Sequence, residues 1–405
     1  MNIINKGKLQ KEGKKWVANE IISEEQLEQI LKMYTKKDLN YIIILFAVIL
    51  TSLSFITFIY SDWAQVPHFS RILVISIFLV ILYVTGDLFY RKRSTLLGVS
   101  FITLGYIAFG VGMFVAMNIY NMTLFSAWPF LIWSIVGLFI YVLYEHPFLF
   151  AVGIANTTIG QIYSGSSFSE FNIWLLLILF FGYAHFVYHR SNRLFSYLFG
   201  ISFSIHAVVL VMAESQPYYW LIVYFLMLYI LGDLINKEML YEPLKNIGLI
   251  SAFILSMYQA FLLQENYFIN SLEYQIVFFV VWILLVVFAI GLKRKKGTHI
   301  EAIDFLLFLP LFILPVPFVF ILISLFLFSI IWLMIGYKYE WNEKIMLGTT
   351  AFLFSTFTVY IQYAWNAMNK SLFFLIGGII LFLFGFLLEK RRRSLVDNKK
   401  GGTVK

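Results

Sequence analysis

From residue 41 to residue 389 the chain alternates long apolar runs with short polar or basic breaks. A helix rises about 1.5 Å per residue and the hydrocarbon layer of a bilayer is about 30 Å thick, so about 20 apolar residues cross it. The runs place fourteen candidate spans near 41–60, 72–90, 95–118, 127–144, 147–163, 172–189, 194–212, 218–235, 246–263, 274–292, 301–315, 317–337, 345–365 and 371–389. Each run is continuously apolar, without the in-out alternation of barrel strands, which excludes a transmembrane β-barrel. The pattern therefore predicts an all-α fold: a polytopic transmembrane helical bundle of about 14 spans over residues 41–389. A small cytoplasmic helical head (1–40) precedes it and a basic tail (390–405) follows.

Composition agrees with the pattern. Of 405 residues, 61% are hydrophobic and 13% charged, and the mean hydropathy is +0.83. A soluble chain is nearer half apolar and a quarter charged, so a water-soluble enzyme is ruled out. The absence of cysteine excludes a disulfide framework, a Cys-ligated metal and a Cys nucleophile. No HExxH, Walker A or Gly-x-Ser-x-Gly pattern occurs, and no metal or cofactor is expected.

Cations set the expected sidedness, because short cytoplasmic loops retain Lys and Arg. With the N-terminus inside, the cytoplasmic stretches hold 28 of the 30 Lys and Arg residues, and only Arg71 and Lys370 fall outside. The expectation is a multi-pass protein of the cell (inner) membrane with both termini cytoplasmic. Its net charge of +8 then reflects topology and contact with the lipid bilayer, and no nucleic-acid partner is expected. Residues 1–40 are polar and Lys-rich and lack the apolar core of a secretory signal, so the first apolar run is expected to remain as an anchor.

In the head, Ser23 followed by Gln26 forms a capping-box pattern, with Ile22 and Leu27 at the staple positions, which predicts a helix starting at Ser23. Leu27, Ile30, Leu31 and Tyr34 share one face of that helix, and Trp16 is the expected packing partner from a preceding short helix. The bland account is a membrane-surface collar. The functional one is a docking site for a cytoplasmic protein partner.

The head residues Trp16, Ile22, Ser23, Gln26, Ile30 and Tyr34, the stretch SDWAQVPHFSR with Trp63, Pro67 and Arg71, and GYIAFGVGMFVAMNIYN in the third span carry a resemblance. With Gly110, Tyr120 and Trp128 they resemble the bacterial membrane-protein family known as domain of unknown function 2157, over about the first third of the chain. The resemblance implies a bacterial inner-membrane protein and carries over no reaction.

Polar residues inside the spans each need a reason, since an ionisable group at the bilayer centre costs about 2.5–3.5 kcal/mol on insertion scales. Tyr-x-x-Gly-Asp-Leu-x-x-basic occurs twice, as YVTGDLFYR (83–91) and YILGDLINK (229–237). The spacing pairs Asp87 with Arg91 and Asp233 with Lys237 at i,i+4, as interface-anchored helix ends or as gating contacts. The 146-residue separation also fits a parallel six-span repeat, spans 1–6 and 7–12, with two extra spans. The fifth span reads as short and carries Asn156, Thr157, Thr158 and Gln161 between glycines. The eleventh is broken by Pro310, Pro315 and Pro317 and carries Asp304. The run 300–337 reads either as two spans or as a re-entrant hairpin plus one span.

Short, interrupted segments at matching positions are the sequence pointer to a transporter site, so these five residues are the candidate binding set; buried packing is the alternative for the fifth span. His206, inside the seventh span, reads as a hydrogen-bonded interior histidine, with a proton relay as the alternative; His185 and His189 lie near the inner end of the sixth. Glu145-His146-Pro147 occupies a tight turn and lacks further metal ligands. The functional expectation is a carrier of a small solute or lipid, followed by an accessory scaffold acting through the head. A membrane glycan or acyl transferase comes third, because the outer loops are short and nearly free of cations.

Overall fold

The computed structural model describes residues 21–27, 46–51, 66–120, 126–190, 192–235, 237–264, 275–367, 369–372 and 375–379, with positions 13, 16, 17, 43, 53, 54, 57 and 382. Among these residues every regular element is helical. In order they are α1 His68–Lys92, α2 Thr95–Ile119, α3 Trp128–Tyr144, α4 Pro147–Phe168, α5 Ile173–Arg190, α6 Arg193–Ala213, α7 Trp220–Leu234, α8 Glu238–Leu262 and α9 Ile276–Lys296. Two 3₁₀ segments, His299–Phe308 and Leu311–Ile313, then lead into α10 Pro317–Lys338 and α11 Asn342–Ala367.

Eight of these helices are long and apolar enough to cross a membrane (α1, α2, α5, α6, α8, α9, α10 and α11), and α3 and α7 are shorter apolar helices. Their outer faces are unburied hydrocarbon: Ile276, Val277, Val280, Ile283, Leu284 and Val287 of α9 are all exposed. Apolar stripes of that extent fit an integral membrane protein, whose lateral solvent is lipid. Most of the expected head, most of the first and last spans, and the whole basic tail lie outside the described residues. In the head, the capping box forms as read: Ser23 N donates to Gln26 Oε1 at 2.9 Å and Gln26 N to Ser23 Oγ at 3.1 Å, with Leu27 buried.

The chain divides into two compact units, one comprising 1–124 with 143–149 and the other 125–142 with 150–405. In the first, α1 and α2 form a hairpin. Gly98 sits against the backbone of Tyr90, so the two helices touch where no side chain intervenes. The turn at 145–146 belongs to this unit; Glu145 is left-handed at φ 48°, and His146 Nδ1 accepts from Phe148 N at 3.2 Å. Partial burial lowers the His146 pKa from its ordinary value.

The second unit holds the main core. Two expectations about its helices are corrected. The helix of the fifth span is longer than expected: α4 continues past Tyr163 through Ser164–Phe168 and reaches 22 residues, because small polar residues there extend the helix and do not end it. Helix α8 begins at Glu238, eight residues before the expected 246, with Pro243 inside it. A helix-interior proline frees the carbonyl four residues earlier, here Met239. Ser196 Oγ of α6 donates to that carbonyl at 3.2 Å, which is how the helix tolerates the proline. In α5, residues Ile178–Tyr183 form a π segment, a local widening of the helix.

The 3₁₀ stretch replaces the expected eleventh span. Pro310 and Pro315 cannot donate to a helical ladder, and exposed carbonyls in an apolar interior need other donors. Trp282 Nε1 from α9 supplies one to Phe308 O at 2.8 Å, and Ser324 Oγ from α10 supplies one to Leu306 O at 2.8 Å. Between the last 3₁₀ turn and α10, Val316 is held at φ 56°, ψ 58°. A β-branched residue in the left-handed region stores about 1–3 kcal/mol, while glycine there costs about 0.5–1 kcal/mol of backbone entropy. Val316→Gly should therefore raise stability by about 1 kcal/mol, read as a higher midpoint in detergent-phase unfolding; an unchanged or lower midpoint contradicts the strain.

Candidate functional site: a buried charge ring

Helices α7 to α11 of the second unit and the first 3₁₀ segment bring charged and polar side chains to the same place. The second Gly-Asp-Leu motif lies at the end of α7. Gly232 leaves room for α8 to cross it: a Cβ there would lie 2.7 Å from Lys245 Cγ and 2.9 Å from Tyr241 O. One turn apart on α8, Lys245 and Gly248 face α7, and Gly248 lies against the backbone of Tyr229 and Phe225. This close crossing delivers Lys245 to Asp233, with Lys245 Nζ 3.2 Å from Asp233 Oδ1.

Lys293, in the last turn of α9, reaches Asp233 Oδ2 at 3.0 Å. The first 3₁₀ segment contributes Glu301, whose Oε2 accepts from Lys245 Nζ at 2.6 Å and from Lys293 Nζ at 3.0 Å. Two acids and two lysines thus close a ring in which each ammonium bridges both carboxylates. Asp233, Lys245 and Lys293 are buried, while the Glu301 side chain retains 21% exposure. A single charge in such a place is expensive, but the ring is neutral and every member is hydrogen-bonded or ion-paired.

Asp304 lies one 3₁₀ turn beyond Glu301. Three residues make one turn of that helix, so the two carboxyl groups share a face. Asp304 is fully buried; its Oδ2 accepts from Tyr229 Oη–H at 2.6 Å and its Oδ1 from Trp332 Nε1–H of α10 at 2.9 Å. Among the described residues no lysine forms an ion pair with it. A third cation stands nearby: Lys344 Nζ of α11 lies 4.1 Å from the centroid of the Trp332 ring. Lys293 and Lys245 sit 4.6 and 5.4 Å from the Tyr229 ring. Three acids and three lysines are thereby gathered around two aromatic rings.

The sequence-derived candidates are distributed differently. The Asp233–Lys237 pair does not form. Helix α7 ends at Leu234 and Ile235 is extended, so the i,i+4 geometry is lost; Lys237 Nζ instead donates to Tyr188 O at 2.8 Å and lies 4.2 Å from that ring. The first motif behaves as read, in the first unit: Arg91 Nε donates to Asp87 Oδ1 at 2.8 Å, and Tyr144 Oη donates to the same oxygen at 3.1 Å.

Of the candidate binding set, Asp304 belongs to the cluster. The other four make their bonds within α3–α6 and the connection before α5: Asn156 Nδ2 donates to Ser134 Oγ at 3.1 Å, Thr157 Oγ1 to Gly153 O at 3.1 Å, and Thr158 Oγ1 to Ile154 O at 2.8 Å while accepting from the Ser202 hydroxyl at 2.7 Å. With its amide set to satisfy both groups, Gln161 donates to Asn172 O and accepts from Asn172 N. Their geometry is that of polar helix packing.

His206 is buried with Nδ1 2.8 Å from Ser202 O, an interior histidine. The His185 and His189 rings lie 4.1 Å apart between centroids, tilted by 30°, on the exposed end of α5. Among the described residues no group of three or more His, Cys, Asp or Glu is placed to hold a metal.

Sequence reasoning missed Tyr229, Lys245, Lys293, Glu301, Trp332 and Lys344 as members of one site. Lys245, Lys293 and Lys344 had been counted as markers of sidedness. The overlooked signal was phase: Lys245 lies in register with Gly248 and Ala252 on the buried face of α8, and Glu301 and Asp304 lie three apart in an apolar run.

The family-like residues lie elsewhere. Pro67 precedes α1, Arg71 Nε donates to Val66 O at 2.8 Å, Gly110 is buried in α2, Tyr120 is exposed, Trp16 and Trp128 are half-buried, and Trp63 is outside the described residues. No curated protein and no solved structure matches the chain. Its N-terminal part, residues 14–150, matches the family of predicted membrane proteins described as DUF2157, and the charge ring lies wholly beyond that match.

Proposed function

We propose that the second unit is the moving part of a membrane carrier for a small solute, and that the ring of Asp233, Lys245, Lys293 and Glu301 holds one end of it shut. The supporting observation is the placement of a non-α stretch, His299–Ile313, carrying a fully buried acid, within packing distance of α7, α8, α9 and α10. Irregular backbone at membrane depth is tolerated where it lines a path or is sheathed in protein, and intramembrane ionisable residues mark substrate or ion routes.

The ring lies at the end of the helices that bears the basic turns, Arg294–Lys296 and Lys338. By the positive-inside rule that end faces the cytosol, with both chain termini on the same side in the cell membrane. Four ion pairs shared among α7, α8, α9 and the 3₁₀ segment form a contact that either holds or parts as a unit, as a gate requires. The accessory reading, docking through residues 1–40, rests on a segment that lies mostly outside the described residues.

Because the chain contains no cysteine, a single introduced thiol reports access without background. Ser324→Cys places it on α10, buried against the 3₁₀ segment. In proteoliposomes the thiol should react slowly with a membrane-impermeant methanethiosulfonate, and at least tenfold faster when Glu301→Gln removes both of that residue's ion pairs. Equal, slow labelling from both sides in the two folded proteins would remove the gate and, with it, the carrier.

A further inference from the structure

The surroundings of Asp304 identify which ion it can bind. Its two oxygens accept from donors of different kinds. The Trp332 indole N–H can only donate, so Oδ1 must keep a lone pair turned toward it. The Tyr229 hydroxyl both donates and accepts, so Oδ2 can carry a hydrogen and present it to the phenol oxygen. A metal cation has no such place. It needs several oxygen ligands with free lone pairs, while the indole hydrogen at Oδ1 occupies one of the approaches. Glu301, the nearest acid along the 3₁₀ segment, already accepts from two lysines.

We propose that Asp304 is a proton-binding site and that the proton is the coupling ion of the carrier; the second clause rests on the function proposed above. In the step, a proton adds to Asp304 Oδ2 and the side chain passes from charge −1 to 0. The Tyr229 hydroxyl rotates from donor to acceptor, and the Trp332 bond to Oδ1 is kept. No other bond forms or breaks.

The groups around it set the consequence. Tyr229 and Asp233 come from α7, Lys245 from α8, Lys293 from α9, Glu301 from the same 3₁₀ segment, Trp332 from α10 and Lys344 from α11. The ring of four stays neutral by itself, so neutralising Asp304 leaves Lys344 as the one uncompensated charge of the six. Lys344 is half-buried with the face of the Trp332 ring 4.1 Å away, so the change of charge falls beside the α10–α11 contact.

Acid-minus-base infrared difference spectra of the full-length protein in lipid nanodiscs test this directly, with no substrate needed. The wild type should show a protonated-carboxyl C=O band that Asp304→Asn removes. Tyr229→Phe should keep the band and move it to higher wavenumber, since the neutral acid has lost its phenol partner. Identical spectra for wild type and Asp304→Asn, or a band removed by Glu301→Gln and kept in Asp304→Asn, would overturn the proposal. Should Asp304→Asn not fold, an unshifted band in Tyr229→Phe overturns it alone. Thiol labelling of Ser324→Cys involves no carboxyl band, so a working gate without an Asp304 band removes only the proton, and the converse removes only the carrier.

Discussion

Replacing Lys293 with Met lowers the stability of the folded protein by about 3–5 kcal/mol, the cost of removing one partner from a buried ion pair. Lys293 is 2% exposed and bridges Asp233 and Glu301 at 3.0 Å each. Without it, the buried Asp233 and half-buried Glu301 carboxylates share the single ammonium of Lys245, and the methionine fills the volume but supplies no hydrogen bond. Adding Asp233→Asn to Lys293→Met should recover a large part of the loss, because Lys245 and Glu301 remain as a neutral pair at 2.6 Å. The measurement is equilibrium unfolding in mixed micelles, scored for the two single variants and the double. A Lys293→Met loss below about 1 kcal/mol, the range of an exposed pair, would show that the ring is solvated and contributes little. The surface pair of Asp87 and Arg91 supplies the contrast: Arg91 side-chain exposure is 73%, and its removal should leave stability unchanged within error.

Gly232→Ala is expected to cost about 1–3 kcal/mol and to loosen the ring without touching any charge. The added methyl would lie 2.7 Å from Lys245 Cγ and 2.9 Å from the Tyr241 carbonyl, so α8 must shift away from α7. Gly291→Ala on α9 meets nothing within 4 Å and should be neutral or stabilising by about 0.5–1 kcal/mol, the ordinary helix preference for alanine. The pair is scored by the same unfolding assay, with labelling of Ser324→Cys as a second readout. Equal effects from the two substitutions would mean that the α7–α8 crossing does not position Lys245.

The helices were legible because lipid leaves little choice: the expected run 95–118 became Thr95–Ile119, and 317–337 became Pro317–Lys338. Helix α8 was truncated in the reading since Glu238, Glu242 and Pro243 look like a loop, and their tolerance depends on Ser196, more than forty residues earlier in the chain. The prolines announced a break at 310–317, but the sequence pattern does not distinguish a 3₁₀ turn from an α turn over ten residues. Asp304 was legible as an acid in an apolar run. Its partners were not, because the bonds that define the site join residues 75 and 28 positions apart. Lysines near helix ends are normally spent on topology, and of the two that turn inward only Lys245 carries a local mark, its phase with Gly248 and Ala252.

The α7–α8 crossing carries Asp233 and Lys245, and α9 with the following 3₁₀ segment carries Lys293 and Glu301. Each of these consecutive stretches therefore holds one acid and one base within contact distance before the other half of the ring exists. During biosynthesis the translocon meets the two charge-balanced halves of the ring in succession, and no member of the ring has to enter lipid while it waits for a distant partner.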